Sequence, residues 1–270
     1  MSLSSTEFAD EHYWYNVPSI MTTDCNQFSV TVSDEFYVVA MEPGHDRPDL
    51  PVWAAKRSGV FTFDDAAGQR IKRIDIPEVE GVWQLLNVMS DEECDRLVAL
   101  SEVLGYHGDA PVSLPRRVRH NDNFNWVVDD SVDGVIWNRC KKFFAPSNYT
   151  SFKPLGLNAR FRFYRYGVGD YFAPHADGAW TGSRVVDSEL VRDAYGDRLS
   201  EMTFLIFLSD RYEGGRTLFQ TFDGELAAVS TPKGAVLCFP HGKHPQHCLH
   251  AGEEIASGIK YIVRTDVLFG

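Results

Sequence analysis

The residues best suited to chemistry lie in one stretch, Tyr164-Arg165-Tyr166-Gly167-Val168-Gly169-Asp170-Tyr171-Phe172-Ala173-Pro174-His175-Ala176-Asp177. His175 and Asp177 are separated by a single residue. In extended backbone, side chains two apart project to the same face, so an imidazole and a carboxylate from one strand can meet one metal ion. A third ligand has to come from elsewhere, and His241, His244, His247 and His250 all precede a β-rich tail. Two histidines and one carboxylate leave three positions open on a ferrous ion, enough for a chelating co-substrate and O2. An HxD pair alone carries little weight: with nine histidines in the chain, one such pair arises by chance on the order of once. The plain alternative is a turn histidine bonded to a neighbouring acid.

The elements that must position these residues follow from pattern. Residues 158–270 read as short strands, including Arg160–Tyr166, Thr203–Leu208, Ala235–Phe239 and Lys260–Leu268, separated by Gly- and Asp-bearing turns such as Glu213-Gly214-Gly215. Two helices come before them. Ser90 with Glu93 fits a capping box, with Cys94, Leu97, Val98 and Leu104 on one apolar face; Val132, Val135, Ile136, Cys140 and Phe143 recur at helical spacing after Asp130-Ser131. Helices followed by many strands predict an α+β chain with a β-sandwich or jelly-roll core. Residues 1–80 read as a β-rich N-terminal extension, with strands around Phe28–Val32, Phe36–Val38 and Val60–Phe63, and 81–270 as the main domain.

Bulk properties narrow the function. A formal charge of −12 over 270 residues disfavours nucleic acid and anionic membranes as partners. The one basic cluster, Arg116-Arg117-Arg119, is short and reads as a solvated loop. No run approaches the ~20 apolar residues of a membrane helix, and the first residues lack the basic and apolar regions of a secretory signal. Five scattered cysteines without a CxxC pair argue against a disulfide framework or a thiolate zinc site. They suit a reducing compartment, so a cytoplasmic location is expected.

Three ordered segments, YRYGVGDYFAPHAD, TFLIFLSDRYEGGRTLF and HAGEEIASGIKYIVRTDVLF, resemble the prolyl-4-hydroxylase-like branch of the 2-oxoglutarate/Fe(II) dioxygenases. The resemblance covers roughly residues 80–270. It implies a double-stranded β-helix core, and iron held by His175, Asp177 and His250. The ten-residue step from His250 to Lys260 selects that histidine over its neighbours. By the same resemblance Lys260 pairs with the distal carboxylate of 2-oxoglutarate, and Tyr166 and Thr203 contact the co-substrate. The implied reaction hydroxylates an unactivated carbon of a peptidyl or small amino-acid-like substrate and releases succinate and CO2. O2 is consumed, and ascorbate is a further candidate cofactor. Asp177 favours hydroxylation, because a Gly or Ala there would leave room for a halide. The chain departs from its relatives at Phe207, where some carry a tyrosine, at Arg216 in the EGG turn, and in a long segment over 178–199 that could form a lid.

Alternation places Tyr166, Tyr164, Arg162, Arg160 and Asn158 on one face of their strand. Arg162 and Tyr164 are therefore candidate substrate contacts, with Trp180 from the 178–199 segment. Arg162 has the equally plain reading of an internal ion pair. Arg264, on the face of Lys260, is a second candidate cation for the co-substrate. Asn121, Asn123 and Trp126 are expected in a polar loop bordering the cavity. Two rival functions stand beside hydroxylation: an oxidative demethylase of nucleic-acid bases, and a cupin-like metal-binding module without oxygenase activity. Oligomeric state is open.

Overall fold

Alternation on the strand Arg160–Tyr166 divides its side chains between two cores. In the computed structural model, which describes residues 32–109, 118–147 and 151–270, Phe161 and Phe163 join one apolar cluster, while Tyr164 and Tyr166 join another on the opposite face. The same division runs through neighbouring strands. Phe204, Ile206, Val236 and Cys238 fall in the first cluster, and Leu205, Phe207, Leu237 and Phe239 in the second. A period of two with apolar residues in both phases marks a sheet covered on both faces.

That major sheet runs in the order Phe36–Glu42, Leu50–Ala55, Asp122–Val127, Arg160–Tyr166, Lys260–Phe269, Leu199–Phe207, Val236–Pro240, Trp83–Leu86, Lys72–Asp75. A smaller sheet is ordered Leu226–Val229, Thr217–Gln220, His250–Gly252, Tyr171–His175, Arg119–His120. Among these described strands, only Leu50–Ala55 and Asp122–Val127 pair in parallel. The small sheet covers one face of the large one, with Phe219 and Val229 packed in the second cluster. Two facing, mainly antiparallel sheets form the expected jelly roll. The strands at 36–42, 50–55 and 72–75 are hydrogen-bonded into the same major sheet as the region from 81 onward.

The other face of the major sheet packs against the helices. Ser90 caps Asp91–Leu104, with its hydroxyl accepting from the Glu93 amide while the Glu93 carboxylate accepts from the Ser90 amide. Both orphan amides are thereby satisfied. Arg139, on the helix Asp133–Cys140, donates to both Glu93 oxygens at 2.8 and 2.9 Å and ties the two helices together. No described helix is long and apolar enough to cross a membrane.

Two sequence expectations are corrected. Val60–Phe63 is not a strand; the Phe61 and Phe63 rings stack edge to face at 4.9 Å, so side-chain packing rather than a ladder holds the segment. Asn123 and Trp126 sit on the strand Asp122–Val127, not in a loop. There Phe124 and Trp126 enter the helix-side core, and burial outweighs the poor strand preference of Asn and Asp. The expected strand around Phe28–Val32 and the residues Arg116 and Arg117 lie outside the described residues or at their edge.

Candidate active site

His175 ends the strand Tyr171–His175, and Asp177 follows just beyond it. His250 opens the adjacent strand, and antiparallel pairing sets it directly opposite His175. The small sheet therefore brings two histidines 75 residues apart into contact, with ring centroids 4.2 Å apart. His175 Nε2 lies 3.7 Å from Asp177 Oδ1, and His250 Nε2 lies 3.7 Å from Asp177 Oδ2. The ligand atoms of all three residues fall within 4.8 Å of one another.

The local chemistry suits a metal. Each Nδ1 faces a backbone carbonyl, Ala173 for His175 at 2.8 Å and Cys248 for His250 at 3.1 Å. With Nδ1–H donating there, each Nε2 lone pair is left toward Asp177. Burial, and then the neighbouring His250, push His175 down to about 4. Burial also lowers His250. Burial alone would raise the Asp177 carboxyl, but Arg264 and the two histidines hold it well below the usual carboxylate range. Two neutral imidazoles and an ionised carboxylate are the protonation states a metal requires. Two nitrogens and one carboxylate fit ferrous iron with positions left open.

Behind Asp177 stands a buried polar network. Thr203 Oγ1 donates to Asp177 Oδ2 at 2.7 Å and lies 2.8 Å from His241 Nδ1, while Ser200 Oγ lies 2.8 Å from His241 Nε2. Arg264 Nη1 donates to Asp177 Oδ1 at 2.6 Å, and the same guanidinium reaches Asp266 at 3.1 Å. Asp266 also accepts from Arg162 Nη1 at 3.0 Å. Ser200, Thr203, His241 and Asp266 are all at most 1% exposed. The network orients Asp177 from behind.

Lys260 lines the same pocket as the three metal-ligand candidates, with Tyr164, Tyr166, Phe172 and Ile262 among the walls. It is 4% exposed. Its ammonium donates to the Gly215 carbonyl and lies 5.0, 5.6 and 5.9 Å from the Phe207, Tyr166 and Tyr212 ring centroids. Burial lowers it to about 8, with Glu253 opposing. The EGG turn explains part of this arrangement. Gly214 and Gly215 have φ of 76° and 65°, and a Cβ on Gly215 would press on the Ile255 and Lys260 side chains.

The sequence candidates thus separate. His175, Asp177, His250, Lys260, Tyr166, Tyr164, Thr203 and Arg264 share one pocket. Thr203 and Arg264, expected beside the co-substrate, have Asp177 as their partner. Arg162 and Trp180 line a second pocket instead, with the Arg162 guanidinium 4.8 Å from the Trp180 ring centroid. His241, His244 and His247, the other candidates for the third ligand, are outside the cluster. The 178–199 segment folds into a short hairpin, Arg184–Val186 with Glu189–Val191, and Arg184 is pinned to Asp133 at 2.6 and 3.0 Å. It lines no part of the metal pocket. The sequence offers His241 only as one of four candidate third ligands, and it does not single out Ser200 or Asp266. Asp266 was within reach, since it continues the alternation Lys260, Ile262, Arg264.

No protein-family profile and no curated protein sequence matches the chain. Solved structures with similar backbones include the viral collagen prolyl hydroxylase from Paramecium bursaria Chlorella virus-1 in complex with 2-oxoglutarate (20% identity, TM-score 0.46, covering 75% of this chain and 97% of that one). Another is a Trichoplax adhaerens prolyl hydroxylase in complex with a hypoxia inducible factor peptide fragment (13%, TM-score 0.49, 69% and 83%). A third is HygX from Streptomyces hygroscopicus with nickel and 2-oxoglutarate bound (14%, TM-score 0.44, 70% and 82%). By the order of its motifs and by the convergence of His175, Asp177, His250 and Lys260 on one pocket, the chain resembles the prolyl-4-hydroxylase-like 2-oxoglutarate/Fe(II) dioxygenases.

Proposed function

We propose that this chain is an Fe(II)- and 2-oxoglutarate-dependent dioxygenase that hydroxylates an unactivated carbon of a peptidyl or small amino-acid-like substrate. The observation that carries this reading is one pocket holding both the converged His175, Asp177 and His250 and a buried cation, Lys260. When bound, iron and 2-oxoglutarate would supply the oxidising chemistry with O2: one oxygen atom of O2 would go to the substrate carbon and the other to the succinate formed as 2-oxoglutarate loses CO2.

The protein's part follows from the geometry. His175 and His250 offer Nε2 because Nδ1 is committed to the backbone. Asp177 is kept ionised and fixed by Arg264 and Thr203. Lys260 supplies the charge that a buried carboxylate needs, since a buried anion without a partner is costly. The aromatic walls keep water from the Lys260 end, which strengthens that pairing. A metal-binding module without oxygenase activity gives Lys260 no anion to meet. A nucleic-acid demethylase is disfavoured by the charge of −12.

The test is succinate release from 2-oxoglutarate by the iron-loaded protein, with pooled free amino acids and peptides as substrates. Release above the iron-free control is expected. Iron-loaded protein that consumes no 2-oxoglutarate, with or without the pool, contradicts the reading. Release stimulated only by DNA or RNA would move it to the demethylase.

A further inference from the structure

Resting on the dioxygenase reading, we propose that the substrate carries a carboxylate, seated by Arg162 in a second pocket on the opposite side of Asp177 from Lys260. Register between the strands Arg160–Tyr166 and Lys260–Phe269 lays out the plan: Tyr166 is opposite Lys260, Tyr164 opposite Ile262, and Arg162 opposite Arg264. Tyr166 and Tyr164 line the metal pocket; Arg162, Arg160 and Asn158 line the second. Four residues of strand separate Tyr166 from Arg162, about 13 Å at ~3.3 Å per residue. Arg264 holds Asp177 at the Arg162 end. The metal ligands therefore stand between two buried cations on one sheet face.

The second pocket has the charge, the open valence and the room for an anion. Arg160, Arg162 and Arg192 line it, against one carboxylate, Glu42. Glu42 is shared by Arg160 and Arg192, and Asp266 behind the pocket is shared by Arg162 and Arg264. Arg162 is 7% exposed, and its Nη2 has no hydrogen-bond partner among the described residues. A buried donor without an acceptor is unfavourable, and a carboxylate oxygen would satisfy it. The cavity volume is about 340 Å³, against about 50 Å³ in the metal pocket. The smaller space takes the equivalent of a few waters, whereas the larger falls within the ~300–1,000 Å³ of small-molecule sites. The Trp180 ring over Arg162 gives a flat apolar wall for the part of the substrate beside its carboxylate.

A free small molecule and a peptide C-terminus both offer this carboxylate, and binding measurements separate them. The full-length chain is titrated calorimetrically with N-acetylglycine, N-acetylglycinamide and the free acid of N-acetyl-Ala-Ala-Gly. The acid should bind at least about tenfold tighter than the amide, the loss expected for one charge-assisted pairing. Arg162→Gln should abolish that preference and Lys260→Met should keep it. Equal binding of acid and amide overturns the proposal. So does a preference that survives Arg162→Gln or vanishes in Lys260→Met, because the anion then sits at Lys260. Tripeptide acid binding as well as N-acetylglycine would identify a chain end; tripeptide acid binding far more weakly would identify a small molecule, and both uphold the seat.

Arg162 is buried against Asp266, so Arg162→Gln needs a melting curve beside it. Should it not fold, Arg192→Gln, at a rim side chain 64% exposed, should weaken acid binding by about two- to fivefold. An unchanged affinity there, with Arg162→Gln unfolded, counts against the seat. None of these titrations reads turnover, so a failure of the dioxygenase reading shows separately as absent succinate.

Discussion

The strand Lys260–Phe269 turns two cations toward the site, buried Lys260 at its start and partly buried Arg264 four residues on, and the two are treated differently. Lys260 has a backbone carbonyl and aromatic rings around it, and the nearest acidic influence is Glu253. Arg264 is held between two buried carboxylates, Asp177 and Asp266. Burial alone lowers Lys260; at Arg264 the opposing carboxylates win and raise it. A cation matched by two carboxylates of the protein, as Arg264 is, serves as scaffolding. A cation kept dry and without a carboxylate is poised for an anion that arrives with the ligand.

Breaking the neutralised end should have the largest effect. Arg264→Gln leaves Asp177 and Asp266 short of a cation, and breaking one partner of a buried pair costs about 3–5 kcal/mol. A much lower unfolding free energy in a urea titration is expected; one within about 0.5 kcal/mol of wild type would mean the network is not load-sharing. Lys260→Met should act on the other side of the comparison. It removes one charge-assisted pairing of about 1.5–3 kcal/mol, so the KM for 2-oxoglutarate should rise about 10- to 100-fold with stability kept or improved. If Arg264→Gln raises that KM and Lys260→Met does not, the two roles are exchanged.

The pH response sharpens the contrast further. Lys260 is lowered to about 8, so its proton is present below that pH and lost above it. The KM for 2-oxoglutarate should be flat below pH 8 and climb by at most about tenfold per unit above it. The stability of the ligand-free protein moves the opposite way. The unfolded lysine keeps its proton up to its ordinary value of 10.5, so stability should rise with pH between about 8 and 10.5. A KM that ignores pH across this window removes Lys260 from the co-substrate. The smallest effect is expected from Thr203→Val, which deletes one hydrogen bond to Asp177 worth about 1 kcal/mol and should loosen iron by about fivefold; iron affinity equal to wild type would show that Arg264 alone positions the carboxylate.

What could be read from sequence was local. The Ser90–Glu93 box starts a helix through contacts three residues apart. The alternation on Arg160–Tyr166 foretells which side chains share a face, and Tyr164 and Tyr166 do reach the site. His175 and Asp177 are close in sequence, whereas His250 meets them only because two strands of the small sheet pair in register. What escaped depends on distant partners. Alternation points Arg264, and the resemblance points Thr203, to the co-substrate, but neither reveals their bonds to Asp177. His241 enters only as one histidine among several, and its burial beside Ser200 and Thr203 is set by the pairing of Leu199–Phe207 with Val236–Pro240. Asn121–Trp126 has a polar composition, and the pairing of Asp122–Val127 to Arg160–Tyr166 and Leu50–Ala55 that makes it a strand has no local signature.

In the proposed function, His175, Asp177 and His250 hold iron with room for a chelating 2-oxo acid beside Lys260. The most direct test of this is an anaerobic titration of the purified chain with Fe(II) and 2-oxoglutarate, watched for the weak visible charge-transfer band of the chelate. The band should form in wild type and be absent in His250→Ala. Iron demonstrably bound with no band on adding 2-oxoglutarate, or a band of full intensity in His250→Ala, would contradict the account.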